Sequence, residues 1–265
     1  MATAIDLIVL VAPDFGGRCT RASDTEAILD WPVKLVDGRI IPYKLLLKQK
    51  GEQVTAQEET PQHLPIFCPE RHINPGSTFC LYYAGATCLK VVGEASARAW
   101  LETVWKYLKL QERARVKRRW PNNDVWAHGD AARHQRLAQA AAAAINDRMA
   151  IALADGRLQL KHRRSKGRPI LDLWIESTHI YSVWGFDKRV INQKQRCFCG
   201  KSGLKVPKRM RGCADHAKRA SELAVALRDW KKAEELYWEA MQKERCCGTC
   251  DSCPLQRQEQ EAAQV

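Results

Sequence analysis

Seven of the eleven cysteines in this 265-residue chain fall after residue 196, and that crowding limits what the last quarter of the protein can fold into. Cys197-Phe198-Cys199 and Cys213-Ala214-Asp215-His216 present four soft donors in two close pairs. Tetrahedral zinc takes such thiolate and imidazole sets from two short loops, which the ion then ties together. The stretch between them, Gly200 to Gly212, is basic and glycine-containing, so zinc would supply stability that packing does not. A second group, Cys246, Cys247, Cys250 and Cys253, follows a helix expected from Ala217 to Glu244, whose apolar stripe is Leu223, Leu227, Trp230 and Tyr237. It completes a second zinc site or shares ligands with the first, and the spacing leaves both pairings open. A chain this long with no basic and apolar leader argues for metal in a reducing cytoplasm rather than for disulfides. A redox dithiol would need a βαβ frame, and none surrounds these cysteines.

The run His72-Ile-Asn-Pro-Gly-Ser-Thr-Phe-Cys-Leu81 carries a different message. Pro75 presets φ and Gly76 tolerates positive φ, so the chain reverses just before Cys80. Asn74, on the near side of that turn, is a carboxamide able to donate to an oxyanion formed at an acylated Cys80, a contribution of roughly 2.7–4 kcal/mol per donor. The attacking form is the thiolate, with a free pKa of about 8.5, so Cys80 needs partial exposure or an electropositive setting. Read without its flanks, the same residue is a small buried hydrophobe with Asn74 as a loop cap.

His72, Asn74, Gly76, Phe79, Cys80 and Leu81 give the motif its specificity: it resembles the active-site segment of the ubiquitin-conjugating enzymes, in the form of a divergent bacterial branch from ubiquitin-like conjugation operons. The family has Pro where Ile73 stands, and its loop is about two residues longer. The resemblance covers roughly residues 1–145. It implies that Cys80 carries a ubiquitin-like modifier as a thioester, that Asn74 supports the oxyanion, and that His72 fixes the loop rather than acting as a base. Its implied partners are the modifier, an activating enzyme and a lysine-bearing target. The bacterial branch points to defence against phage. Asp124 and Asp130 are the weak candidates for lowering the pKa of the accepting amine.

Element order agrees. Ile28–Val36 and Arg39–Lys48 are β-prone runs around Asp37-Gly38, which predicts a two-residue hairpin turn. Ala2–Val11 reads as a strand, Glu52–Gln62 as a polar loop, and Leu64–Cys68, between Pro65 and Pro69, as an edge strand. From Ser96 the period becomes helical, with Trp100, Leu101, Val104, Trp105 and Leu108 on one stripe. Gly129-Asp130 and the alanine-rich run to Ile145 predict a second helix. Strands are expected in Ile151–Leu160, which holds the turn Asp155-Gly156, and in Ile170–Glu176 and Ile180–Trp184, with Lys161–Arg168 as a solvated loop. The expected fold is α+β, a conjugating-enzyme-like antiparallel meander with flanking helices and a cysteine-rich zinc-binding extension. The expected divisions are residues 1–148, 149–190 and 191–265.

The net charge of +13, gathered at Arg113–Arg119, Lys161–Arg168 and between Lys188 and Arg219, supports a rival reading. A zinc-containing nucleic-acid-binding module would use such patches, and its binding would weaken steeply with salt. Most aromatic residues lie in helical core stripes instead, Trp174 and Trp184 excepted. A non-catalytic scaffold of the same fold is the third reading. The one early apolar run, Ile5–Ala12, is too short to cross a bilayer. Under the enzyme reading the tail recruits the activating enzyme or the target.

Overall fold

The computed structural model describes residues 2–83, 85, 89–121, 126–199 and 208–256. They form two compact units, one made of residues 1–122 and 241–265 and the other of residues 123–240.

The first unit is built on an antiparallel meander of four strands in sequence order, β1 (Arg18–Arg21), β2 (Glu26–Lys34), β3 (Ile40–Lys50) and β4 (Gln53–Glu58). Alternation puts Ala27, Leu29, Trp31 and Val33 of β2, Tyr43, Leu45 and Leu47 of β3, and Val54 and Ala56 of β4 into one core. Helices α1 (Ala4–Val11) and α2 (Glu94–Lys117) supply the rest of it. The α2 stripe matches the spacing expected: Trp100, Leu101, Val104 and Leu108 are buried, while Trp105 is half-buried under the Lys109 ammonium, 4.0 Å from its ring. Ser96 begins the helix by accepting from the amides of Val92 and Gly93 at 2.9 and 3.0 Å.

Four expectations are corrected here. Ala2–Val11 is not a strand: Thr3 caps a helix, with its hydroxyl accepting from the Asp6 amide while Asp6 accepts from the Thr3 amide. Ala4, Ile5, Ile8 and Val11 then fall on one buried face. The β2–β3 connection is longer than two residues, since Lys34 pairs with Ile40 and Leu35–Arg39 form the loop, with Gly38 at φ 86°. Glu52–Gln62 is not all loop, because β4 occupies most of it. Its inward Glu58 is tolerated because the amides of Gln62, His63 and Leu64 all donate to its carboxylate. Leu64–Cys68 makes no strand; only Cys68 bridges, to Ile73.

Trp100 carries the heaviest single stake in this core. It is fully buried and its Nε1 donates to the Val54 carbonyl at 3.1 Å, tying α2 to β4. Trp100→Ala should cost about 3–5 kcal/mol through the cavity and the orphaned carbonyl, read as a shift in the denaturant midpoint of this unit.

The second unit holds α3 (Ala131–Ile145), α4 (Asp147–Ala154), a second meander of β5 (Leu158–Ser165), β6 (Arg168–Ile175), β7 (Thr178–Trp184) and β8 (Arg189–Val190), and α5 (His216–Ala240). Its core joins Ala138, Ala142 and Ile145 of α3 to Leu171, Leu173, Tyr181 and Val183 of the sheet and Leu223 and Ala224 of α5. Lys161–Arg168 is therefore no loop but mostly strand β5, and it carries basic residues because Lys161, His162, Arg163 and Arg164 are all exposed. Arg163 donates to Asp172 at 2.6 Å, and Lys161 lies 4.1 Å from the Trp174 ring. Ile151–Leu160 divides between α4 and β5, with Gly156 at φ 68° in the turn.

Candidate thiol site and metal centre

The segment around Cys80 is a set of nested hairpins. Cys68 and Ile73 exchange backbone hydrogen bonds at 3.2 and 3.0 Å around a one-turn helix, Pro69–Arg71, which His72 ends in the left-handed region at φ 55°. Next, Ser77 donates to the Asn74 carbonyl at 3.1 Å, closing the turn Asn74-Pro75-Gly76-Ser77 with Gly76 at φ 79°. Those positions suit a turn with proline second and glycine third, as the residue types predict. The Phe79 amide reaches the Ala56 carbonyl at 2.9 Å and the Cys80 amide the His72 carbonyl at 2.8 Å, so the thiol residue is registered against both β4 and the preceding hairpin.

His72 is held at both its backbone and its ring. Its carbonyl also accepts from the Tyr107 hydroxyl at 2.9 Å, and its ring meets Trp120 edge-on at 5.0 Å. Asn74 is exposed, and its Nδ2 donates to the Thr78 hydroxyl at 3.4 Å, within the turn rather than to the thiol. Cys80 is half-buried, and desolvation pushes its thiol above the usual range. Partial exposure is thus met, and among the described residues no positive charge offsets the desolvation. Asp130 is exposed at the start of α3, and Asp124 lies outside the described residues.

In the second unit the chain gathers Cys197, Cys199, Cys213 and His216 so that their ligand atoms all lie within 4.8 Å of one another. Cys197 Sγ is 3.3 Å from His216 Nδ1, and Cys199 Sγ is 3.6 Å from Cys213 Sγ. Local structure places each pair. Cys197 pairs through its amide with the Lys208 carbonyl at 2.8 Å, while a one-turn helix, Met210–Gly212, delivers Cys213, and His216 opens α5. Burial, reinforced by the neighbouring thiols, pushes Cys197 up to about 12. Three sulfurs and one imidazole at this spread fit a metal ion in tetrahedral coordination.

The tail thiols sort differently from the quartet expected. Cys247 and Cys250 share hydrogen bonds with Cys68, and Cys246 pairs with Cys253. All five belong to the first unit. Cys68 was missed in the sequence because its partners lie far along the chain; its burial beside Pro69 gave no signal.

A model described as a prokaryotic E2 domain matches residues 15–122, and one described as a cysteine-rich domain C-terminal to the E2 domain matches residues 127–255. The chain belongs to a divergent bacterial E2-like family. No curated protein and no solved structure matches it. The E2 match spans the meander, the Cys80 hairpins and α2, and the cysteine-rich match spans the Cys197–His216 cluster and the four tail cysteines. Among the described residues no helix is long and apolar enough to cross a membrane.

Proposed function

We propose that the protein is a conjugating enzyme that carries a ubiquitin-like modifier as a thioester on Cys80 and passes it to a lysine of a target protein. The observation that carries this reading is Cys80 itself, half-exposed on the E2-matched segment and held by its own amide to the His72 carbonyl. In the first step the Cys80 thiolate attacks the modifier's terminal carbonyl, activated on the partner activating enzyme. A new carbon–sulfur bond forms and the activating enzyme's group leaves. In the second, a deprotonated lysine amine attacks that carbonyl, the amide forms, Cys80 departs as thiolate, and the amine's surplus proton goes to solvent.

Asn74 is the donor for the oxyanion of the second step. Its amide is aligned with Thr78 in the resting state, and catalytic hydrogen bonds tighten only in the reacting complex. Asn74→Ala should leave charging intact and slow transfer to lysine by roughly 10²–10³-fold, the effect of removing one such donor, measured as single-turnover discharge of the pre-charged protein.

The setting that fits is a bacterial conjugation pathway with its own modifier and activating enzyme, of the kind directed against phage. Mixing the chain with that activating enzyme, ATP and modifier tests the proposal: an adduct cleaved by thiol reductant is expected, and its absence rejects the reading. The nucleic-acid rival draws less support, since the two tryptophans of the second sheet each have a cation over one face. Lys161 lies over Trp174, and Arg168 over Trp184 at 4.7 Å, which leaves neither ring as an open stacking platform.

A further inference from the structure

The thiols of the first unit converge on a residue that neither the E2 motif nor the tail spacing singles out. Cys68 is 1% exposed and Cys250 fully buried, and Cys68 is the hub, hydrogen-bonded to both Cys247 and Cys250. Cys247-Gly248-Thr249-Cys250 has the C-x-x-C spacing that zinc-binding turns use. Gly248 takes φ 68°, its amide points at Cys246 Sγ at 3.4 Å, and the Thr249 hydroxyl lies 3.0 Å from Cys247 Sγ. The turn is clamped from outside: the Asp251 amide donates to the Arg118 carbonyl at 2.9 Å, while the Arg118 guanidinium reaches Asp251 at 2.5 Å and the Gly248 carbonyl at 2.9 Å.

A second observation points the same way. Arg71, three residues after Cys68, is 1% exposed, and its guanidinium donates only to the Gln111 side-chain and backbone oxygens, at 2.8 and 3.2 Å. Among the described residues no carboxylate pairs with it. A buried cation without a counter-charge is costly, and the charges it acts on include Cys247 and Cys250. Three thiolates around a divalent ion carry a net negative formal charge, which complements one guanidinium. Three neutral thiols do not.

We infer that Cys68, Cys247 and Cys250 hold a second zinc ion, separate from the Cys197–His216 centre, which fastens the end of the chain to the hairpin directly preceding His72 and Cys80. Among divalent ions soft thiolate ligands favour zinc over calcium, magnesium and manganese, and a fourth tetrahedral position stays open to a further donor. Each thiol gives its proton to solvent as its sulfur binds. The ion would brace the Cys68–Ile73 hairpin, whose far end carries the carbonyl that registers Cys80.

The test is the zinc content of the full-length chain, by elemental analysis against quantitative amino-acid analysis. The wild type should hold two ions per chain, with Cys68→Ser and Cys213→Ser each halving that content and the double variant emptying it. One ion in the wild type, or an undiminished two in Cys68→Ser, overturns the inference. Should Cys68→Ser fail to fold, alkylation of the wild type decides: chelator should open Cys68, Cys247 and Cys250 together to labelling. Cys68 labelling that ignores chelator, or a reductant-sensitive Cys68–Cys247 linkage in zinc-replete protein, refutes it. Neither readout depends on thioester formation, so this inference and the proposed activity stand or fall separately.

Discussion

Cys213→Ser is expected to unfold most of the unit formed by residues 123–240, and a strong chelator to do the same to the wild type. The magnitudes decide it. Structural zinc in small Cys/His sites binds with about 10–16 kcal/mol of apparent free energy at neutral pH, whereas a whole domain is stable by only about 5–15 kcal/mol. Losing the ion would therefore remove a sum comparable to the total, and losing one of its four ligands a large part of that sum.

The geometry shows why little else would compensate. Cys197, Met210 and Cys213 are themselves part of the apolar cluster with Leu171, Tyr181 and Leu223, so the cluster closes only when both ligand pairs are held. Phe198, between two of the ligands, stacks on Tyr181 at 5.1 Å, and Tyr181 donates to the Ala220 carbonyl at 2.9 Å. Loss of a metal held by this cluster would thus loosen the sheet and α5 together. Circular dichroism should register a large loss of helix on chelation and its return with added zinc. A thermal midpoint that is the same with and without chelator would show that the ion, if bound, is not structural.

How far the chain could be read in advance follows from how local each signal is. The α2 stripe was legible because five large apolar residues repeat within one helix, and the Asn74–Ser77 turn because Pro75 and Gly76 each force a backbone angle. The Cys197–His216 set was legible because all four ligands come from two short segments. Ala2–Val11 misled because its apolar run lacks an outward polar pattern over most of its length, so the decisive residues were the caps, Thr3 and Asp6. Strand β4 misled for the opposite reason, since only Val54 and Ala56 mark its inner face while Glu58 turns inward to collect backbone amides. Cys68 and Arg71 were illegible altogether. Cys247 and Cys250, the partners of Cys68, are set by the return of residues 241–256 to the first unit, and the partner of Arg71, Gln111, lies forty residues on in α2. That return also changes what a truncation means. Deleting residues 196–265 would remove buried Cys250, Cys253 and Leu255 from the first unit, so lost activity in such a variant would not isolate a recruiting role for the tail.

Cys80→Ala should abolish the modifier adduct completely, and Cys80→Ser should convert it into one that survives thiol reductant and yields to mild alkali. The difference is one of leaving group. A serine adduct is an oxygen ester, which thiols exchange slowly, whereas the thioester is open to any competing thiolate. Formation on serine should be slow, because a hydroxyl lacks the thiolate's nucleophilicity at neutral pH. The wild type should also show a pH signature. Desolvation holds the Cys80 thiol protonated above its ordinary range, so the reactive thiolate is the minor form at pH 7. Its population, and with it the charging rate at saturating activating enzyme, should climb about tenfold per pH unit until the raised pKa is reached. A rate flat between pH 7 and 8 would mean that a partner supplies positive charge on docking, or that another step limits charging. A reductant-labile adduct persisting on Cys80→Ser would move the chemistry to a different sulfur. Because Cys80 is half-buried and its backbone amide, not its side chain, secures it to His72, neither variant should disturb the fold, and a denaturant midpoint within about 1 kcal/mol of wild type would confirm that the lost activity belongs to the sulfur.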